Sequence, residues 1–203
     1  MRNLPNILSM SRLIATIVVF ILVLVNQPWA FLVAAVIFIF ASITDSLDGY
    51  LARRFKVVSS LGVFLDLTAD KVFVTSILIA MVQIELVPAW IVAIIITREF
   101  IVTGLRSMAS ARGRVIPAGI WGKQKTFVTL LAVGGLLIAK GLSAHQASLF
   151  PPVLPLNNGG QILLLVADVL MMLATIWTIF SGTEYLIGAR WLFQQNKEEQ
   201  SKL

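Results

Sequence analysis

No cysteine occurs anywhere in the chain, which excludes disulfides and thiolate-bound metals and leaves the redox compartment unreadable. Histidine occurs once, at His145, so a cluster of imidazole ligands is excluded too. Charge is scarce. Asp, Glu, Lys and Arg together make 13% of the 203 residues, against about a quarter in ordinary soluble domains. In their place the AVILMFWYC class reaches 58%, and mean hydropathy is +0.91. Those residues fall in long runs, as a chain that crosses a bilayer requires. A signal peptide is not expected at the N-terminus. Arg2 is positive, but Asn6, Ser9 and Arg12 interrupt the approach to the first apolar run, and no small-residue cleavage site clearly follows Val25.

Six apolar stretches stand out, each about 17–25 residues long, the length one helix needs to cross the hydrocarbon core. They run near Ile7 to Val25, Trp29 to Thr44 with a polar continuation to Tyr50, Leu67 to Leu86, Ala89 to Met108, Thr126 to Lys140, and Gln161 to Ile187. Asn26-Gln27-Pro28 closes the first, and Pro88 follows the third. With six alternating spans, Arg2, Arg12, Arg53, Arg54, Lys56, Arg106, Arg112, Arg114, Lys123, Lys125, Arg190, Lys197 and Lys202 share one side. The other side, at 26–28, 85–88 and 140–160, has Lys140 as its only basic residue. This asymmetry predicts an all-α integral membrane protein of six transmembrane helices with both termini cytoplasmic. Residues 1–203 read as one domain with a polar tail at about 194–203. The net charge of +6 then reflects topology and anionic headgroups or phosphates rather than nucleic acid.

Ten acidic residues are present, and four of them lie between Asp45 and Asp70. Asp45 and Asp48 are spaced i, i+3 at the cytoplasmic end of the second helix. Asp66 and Asp70 are spaced i, i+4 at the start of the third. Each pair shares a helix face, and consecutive antiparallel helices can bring both pairs together at the cytoplasmic face. Four such carboxylates repel one another strongly, so either some take protons or divalent cations bind. Oxygen ligands alone favour hard ions such as Mg²⁺ or Mn²⁺. Gly49, Ala52 and Gly62 are small enough for a bulky ligand to approach the backbone. Arg53, one turn after Gly49, can hold a phosphate through two hydrogen bonds. Singly, each Asp could be a cap or surface charge, Arg53 a topology signal and Gly62 a turn residue. Jointly, charged groups at a membrane edge point to function.

Written out, the segment is Asp45-x2-Asp48-Gly49-x2-Ala52-Arg53-x8-Gly62-x3-Asp66-x3-Asp70. It resembles the signature of the CDP-alcohol phosphotransferase family at all eight fixed positions. The resemblance implies a six-helix membrane enzyme with its active site at the cytoplasmic face. Asp45, Asp48 and Asp66, with Asp70 nearby, would bind two divalent metal ions. Asp70 would also be the general base, while Gly49, Ala52, Arg53 and Gly62 would surround the CDP moiety. An alcohol would attack the β-phosphorus of a CDP-linked donor, and CMP would leave. Leu4-Pro5-Asn6-Ile7-Leu8-Ser9-x-x-Arg12, Thr97-Arg98-Glu99 through Gly104-Leu105-Arg106, and Gly122-Lys123-x-Lys125-Thr126 are similar to the members that use glycerol 3-phosphate. Ser9 stands where Thr is more usual. Leu67 stands where relatives often have Pro, which is expected to alter the start of the third helix.

This resemblance implies CDP-diacylglycerol as donor, sn-glycerol 3-phosphate as acceptor, a homodimer in membrane lipid, and a multi-pass protein of the bacterial inner (cytoplasmic) membrane. Basic residues near the fourth and fifth helices independently suit an anionic acceptor. Arg106, Lys123 and Lys125 are the leading candidates for its phosphate, with Arg98 and Arg112 beside them; plain cytoplasmic charge is the bland alternative. Gly122-Lys123 is not a nucleotide P-loop, because Pro117 replaces the first glycine, Gln124 precedes Lys125, and no strand comes before. His145 reads as a loop residue, and Trp29, Trp90, Trp121, Trp177 and Trp191 as interfacial anchors. Asp168 could cap or pair near the external side, and Glu184 could support the basic cluster. Two other readings stay open: another acceptor (inositol phosphate, serine or phosphatidylglycerol), or a cation transporter. A transporter would place its carboxylates nearer the bilayer midplane.

Overall fold

The computed structural model describes residues 4–55, 60–113, 120–142 and 159–190. Side chains are described for all of these except 4–9, 45–55, 60–67, Ile120, Lys123 and 159–161. Among the described residues there are six helices and no strand: α1 (Leu4–Val25), α2 (Pro28–Phe55), α3 (Ser60–Gln83), α4 (Ala89–Ala111), α5 (Ile120–Leu142) and α6 (Gly159–Gly188). Each overlaps one of the six apolar runs, five of which lie wholly within their helix.

The breaks follow from local chemistry. Asn26 takes a left-handed φ of 53°, a conformation Asn tolerates better than most residues, and this ends α1. Pro28 then opens α2, because a first-turn residue needs no N–H partner. Glu85 is also left-handed, at φ 57°, and the Leu86 N–H returns to the Met81 carbonyl at 2.9 Å. Those last carbonyls of α3 are thereby satisfied. Pro88 follows in extended geometry and caps α4.

One boundary differs. The third apolar run reads from Leu67 to Leu86, whereas α3 begins at Ser60, runs through Leu67 and ends at Gln83. Gly62 and Asp66 interrupt the apolar pattern upstream, but neither is a strong enough breaker to stop the helix. Similarly, α2 continues unbroken to Phe55, because the single Gly49 is too weak a breaker to stop it.

The helices pack through small residues. α5 and α6 run antiparallel along most of their length, and α1 lies along both α2 and α3. A Cβ on Gly135 would meet the Ala167 Cβ at 3.1 Å, and one on Gly141 would sit 2.7 Å from the Leu32 side chain. Such close backbone approach maximises dispersion contact between helices. Phe38 of α2 stacks on Phe73 of α3 with ring centroids 5.4 Å apart, and both rings are buried. Many large apolar side chains face outward instead: Phe40 and Phe180 are each 67% exposed, and Ile187 66%. Among the described residues two helices, over Gln124–Leu142 and Ile162–Gly188, are long and apolar enough to cross a membrane.

Candidate active site

Where α3, α4 and α5 come together, a small cleft of about 50 Å³ opens. It has room for a few waters. Its polar wall is Asp70, Lys71 and Thr75 from α3, Glu99 from α4, and Lys125, Thr126 and Thr129 from α5. Leu78, Ile95 and Leu130 close the apolar side. The spacing explains the lining: Lys71, Thr75 and Leu78 repeat at i, i+4, i+7, while Ile95 and Glu99 repeat at i, i+4, so each set shares a helix face.

The charges are tied across helices. Glu99 Oε1 accepts a hydrogen bond from Lys125 Nζ and pairs with Arg98 Nη1 at 3.2 Å. Arg98 reaches α6 as well. Its Nη2 donates to Ser181 Oγ, and its guanidinium lies 5.5 Å from the Tyr185 ring centroid, a favourable cation–π geometry. Lys71 Nζ donates to Thr103 Oγ1, and the Thr103 hydroxyl donates to the Glu99 carbonyl at 2.7 Å. The Lys125 side chain is only 4% exposed, against 28% for Glu99. A desolvated ammonium without an anionic neighbour would be strongly unfavourable. Asp70 is exposed and acts electrostatically on both Lys71 and Lys125.

The residues expected from sequence distribute as follows. Lys125 and Asp70 share the cleft. Arg98 stands behind it, bound to Glu99 and Ser181. Arg106 is exposed on α4, within electrostatic range of Lys71. Arg112 is exposed at the C-cap of α4, away from the cleft's lining. Asp45, Asp48, Gly49, Ala52 and Arg53 lie on α2, Gly62 and Asp66 on α3, and Lys123 on α5; their side chains fall outside the described residues. So do His145 and the tail. Among the described residues no three of His, Cys, Asp and Glu gather as a metal site.

Sequence reading missed Lys71 and Thr103, and it treated Glu99 only as the neighbour of Arg98. A lysine inside a membrane-length apolar run was the available signal for Lys71. Nothing local marked Thr103. Among the described residues Glu184 stands apart from Arg98 and Lys125. It is exposed and lines an apolar groove with Trp121, Ile176, Trp177 and Phe180. Asp168 is buried, and neither carboxylate oxygen has a hydrogen-bond partner among the described residues.

Comparison with known proteins agrees with the motif. A model of the CDP-alcohol phosphatidyltransferase family matches residues 2–181. A Bacillus subtilis (strain 168) protein named CDP-diacylglycerol–glycerol-3-phosphate 3-phosphatidyltransferase is 38% identical over 198 residues, covering 91% of this chain and 94% of its own. A Rickettsia bellii protein of the same name is 31% identical over 193 residues, covering 94% of this chain and 97% of its own. A Mycobacterium tuberculosis protein named as a probable phosphatidylglycerophosphate synthase is 38% identical over 191 residues, covering 92% of this chain and 81% of its own. With the eight-position motif intact and the match running from α1 into α6, the chain belongs to the CDP-alcohol phosphatidyltransferase family of transferases.

Proposed function

We propose that the protein transfers the phosphatidyl group from CDP-diacylglycerol to sn-glycerol 3-phosphate, yielding phosphatidylglycerophosphate and CMP. Six helices span the bacterial inner membrane, both termini are cytoplasmic, and the reaction runs at the cytoplasmic face. The outward-facing apolar side chains of α1, α2 and α6 support the bilayer as surroundings. The one-sided distribution of basic residues supports the orientation.

The observation that carries the reading is the cleft itself: Asp70 shares it with Lys71 and Lys125. A carboxylate that accepts a proton from an alcohol thus stands beside cations suited to that alcohol's phosphate. In the reaction, Asp70 takes the proton as the acceptor oxygen attacks the β-phosphorus of the donor. The new P–O bond forms, the bond from that phosphorus to the bridging oxygen breaks, and CMP departs with the electron pair. Lys125 holds the acceptor phosphate from inside the cleft. Lys123, Arg106, Arg98 and Arg112 add positive potential on the same side. Arg53 binds the donor phosphates, and Gly49, Ala52 and Gly62 leave room for the cytidine diphosphate.

Members of this family generally use divalent metal ions. The donor set fits such ions, being carboxylate oxygen only. Phe38 of α2 stacks on Phe73 of α3; in sequence Asp45 lies about two helical turns after Phe38, and Asp66 about two turns before Phe73. Asp45, Asp48, Asp66 and Asp70 would hold two ions, Mg²⁺ or Mn²⁺. When bound, they supply positive charge that offsets the pyrophosphate and the departing CMP.

The test is an assay of the purified protein in lipid–detergent micelles with CDP-diacylglycerol and separate acceptors. CMP release with glycerol 3-phosphate alone is expected. Release with inositol phosphate, serine or phosphatidylglycerol instead overturns the acceptor. No release with any alcohol overturns the transferase reading.

A further inference from the structure

We infer that Glu99 is a positioning residue for the acceptor: without touching substrate, its carboxylate holds the Lys125 ammonium in the cleft beside Asp70. This rests on the reading that Lys125 binds the acceptor phosphate. Lys125 belongs to α5 and Glu99 to α4, and these helices are not packed along one another. The ion pair between them is therefore a bridge across a gap rather than a by-product of helix packing. The Lys125 stem is flexible, with its ammonium free to rotate about several bonds unless something holds it.

Glu99 is itself held from three directions. Arg98 Nη1 stands 3.2 Å from the same Oε1 that Lys125 reaches. Arg98 is anchored to α6 through Ser181 and the face of Tyr185. The Thr103 hydroxyl donates to the Glu99 carbonyl at 2.7 Å and accepts from Lys71. Side chains of α4 and α5 thus meet on the carboxylate itself, Arg98 carries the link on to α6, and Thr103 ties the Glu99 backbone to α3. Arg98, Lys125 and Glu99 together carry one net positive charge, which remains for a phosphate.

The proposal makes a prediction opposite in sign to simple electrostatics. Neutralising Glu99 makes the cleft more positive, so on charge alone an anionic acceptor should bind better. Without Glu99, however, Arg98 and Lys125 face each other as like charges with no carboxylate between them, and Lys125 loses its anchor. Acceptor binding should therefore weaken.

Steady-state CMP release by the full-length protein decides between these. Glu99→Gln should raise the KM for glycerol 3-phosphate on the order of tenfold, a value discounted from a fully buried pair because Glu99 is partly exposed. The KM for CDP-diacylglycerol should stay unchanged and kcat should fall only a few-fold, which also reports a folded protein. Glu99→Asp, which keeps the charge on a shorter arm, should restore part of the loss. Lys125→Met should raise the acceptor KM alone, and adding Glu99→Gln to it should change that KM by less than about twofold, because the two act as one unit. A lower or unaltered acceptor KM in Glu99→Gln, or independent effects that multiply in the double variant, overturns the inference. If Glu99→Gln yields no folded protein, an acceptor KM in Glu99→Asp at or below wild type overturns it. If Lys125→Met leaves the acceptor KM unaltered, the acceptor site itself is misassigned, a failure distinct from that of Glu99.

Discussion

The two halves of this bundle are held together by different physics. In one, Gly135 meets Ala167, Gly141 meets Leu32, and Phe38 stacks on Phe73. The first two contacts bring backbones close because glycine has no side chain, and the third is a stacked aromatic pair. In the other, Lys71 reaches Thr103, Lys125 reaches Glu99, and Arg98 reaches Ser181. There long polar side chains tie α3, α5 and α6 to α4 beside the cleft. The candidate cleft lies in the tied half, and the two halves adjoin closely, with Phe73 only three residues from Asp70.

Substitutions can break that division. The largest expected effect is on chemistry: Asp70→Asn should reduce turnover by about 10²–10⁴-fold, the usual contribution of a general base. Binding of CDP-diacylglycerol, measured by equilibrium retention, should largely persist; its loss would make Asp70 chiefly a metal ligand. Next comes the packed half. Phe38→Ala should destabilise the fold by about 3 kcal/mol or more through the cavity it leaves, read as a lower Tm in detergent. Because the ring also sets α2 against α3, activity should fall with it. Gly141→Val should cost about 1–3 kcal/mol through overpacking against Leu32, while the folded fraction keeps its KM for both substrates. A changed acceptor KM there would mean the halves are coupled.

Two smaller effects sharpen the polar half. Lys71→Met should raise the acceptor KM severalfold with little change in Tm, since the lysine lines the cleft and its hydroxyl partner Thr103 keeps its bond to the Glu99 carbonyl. An unaltered KM would leave Lys71 a structural tie only. Ser181→Ala removes one acceptor from Arg98 and should cost about 1 kcal/mol of stability. Its effect on the acceptor KM should be smaller than that of Glu99→Gln, because Arg98 retains Glu99 and Tyr185. Thermal melts and CMP-release kinetics on the same preparations check both.

How legible each half was follows the same line. The helices could be read from apolar runs, and Asn26, Pro28 and Pro88 marked real boundaries, because a break in the apolar pattern and a break in backbone hydrogen bonding coincide there. The apolar pattern places the start of α3 too late, because Gly62 and Asp66 interrupt it over 60–66 without breaking the helix. The aspartate motif was readable because its spacing is set within two single helices, where i, i+3 and i, i+4 have fixed meaning. Lys125 was found through its sequence context. Glu99, Lys71 and Thr103 were not recognised as a group, because their partners lie 26 and 32 residues away, beyond any local period.

Composition and helical periodicity alone were enough for an all-helical chain, one-sided basic charge and an aspartate set with the spacing of its family, since each depends on the chain's local geometry. The order of helix neighbours, the cleft between α3, α4 and α5, and the carboxylate on which Arg98 and Lys125 meet came only with packing. Small residues let α5 approach α6 and α2 closely, and at the cleft long polar side chains cross between α3, α4 and α5.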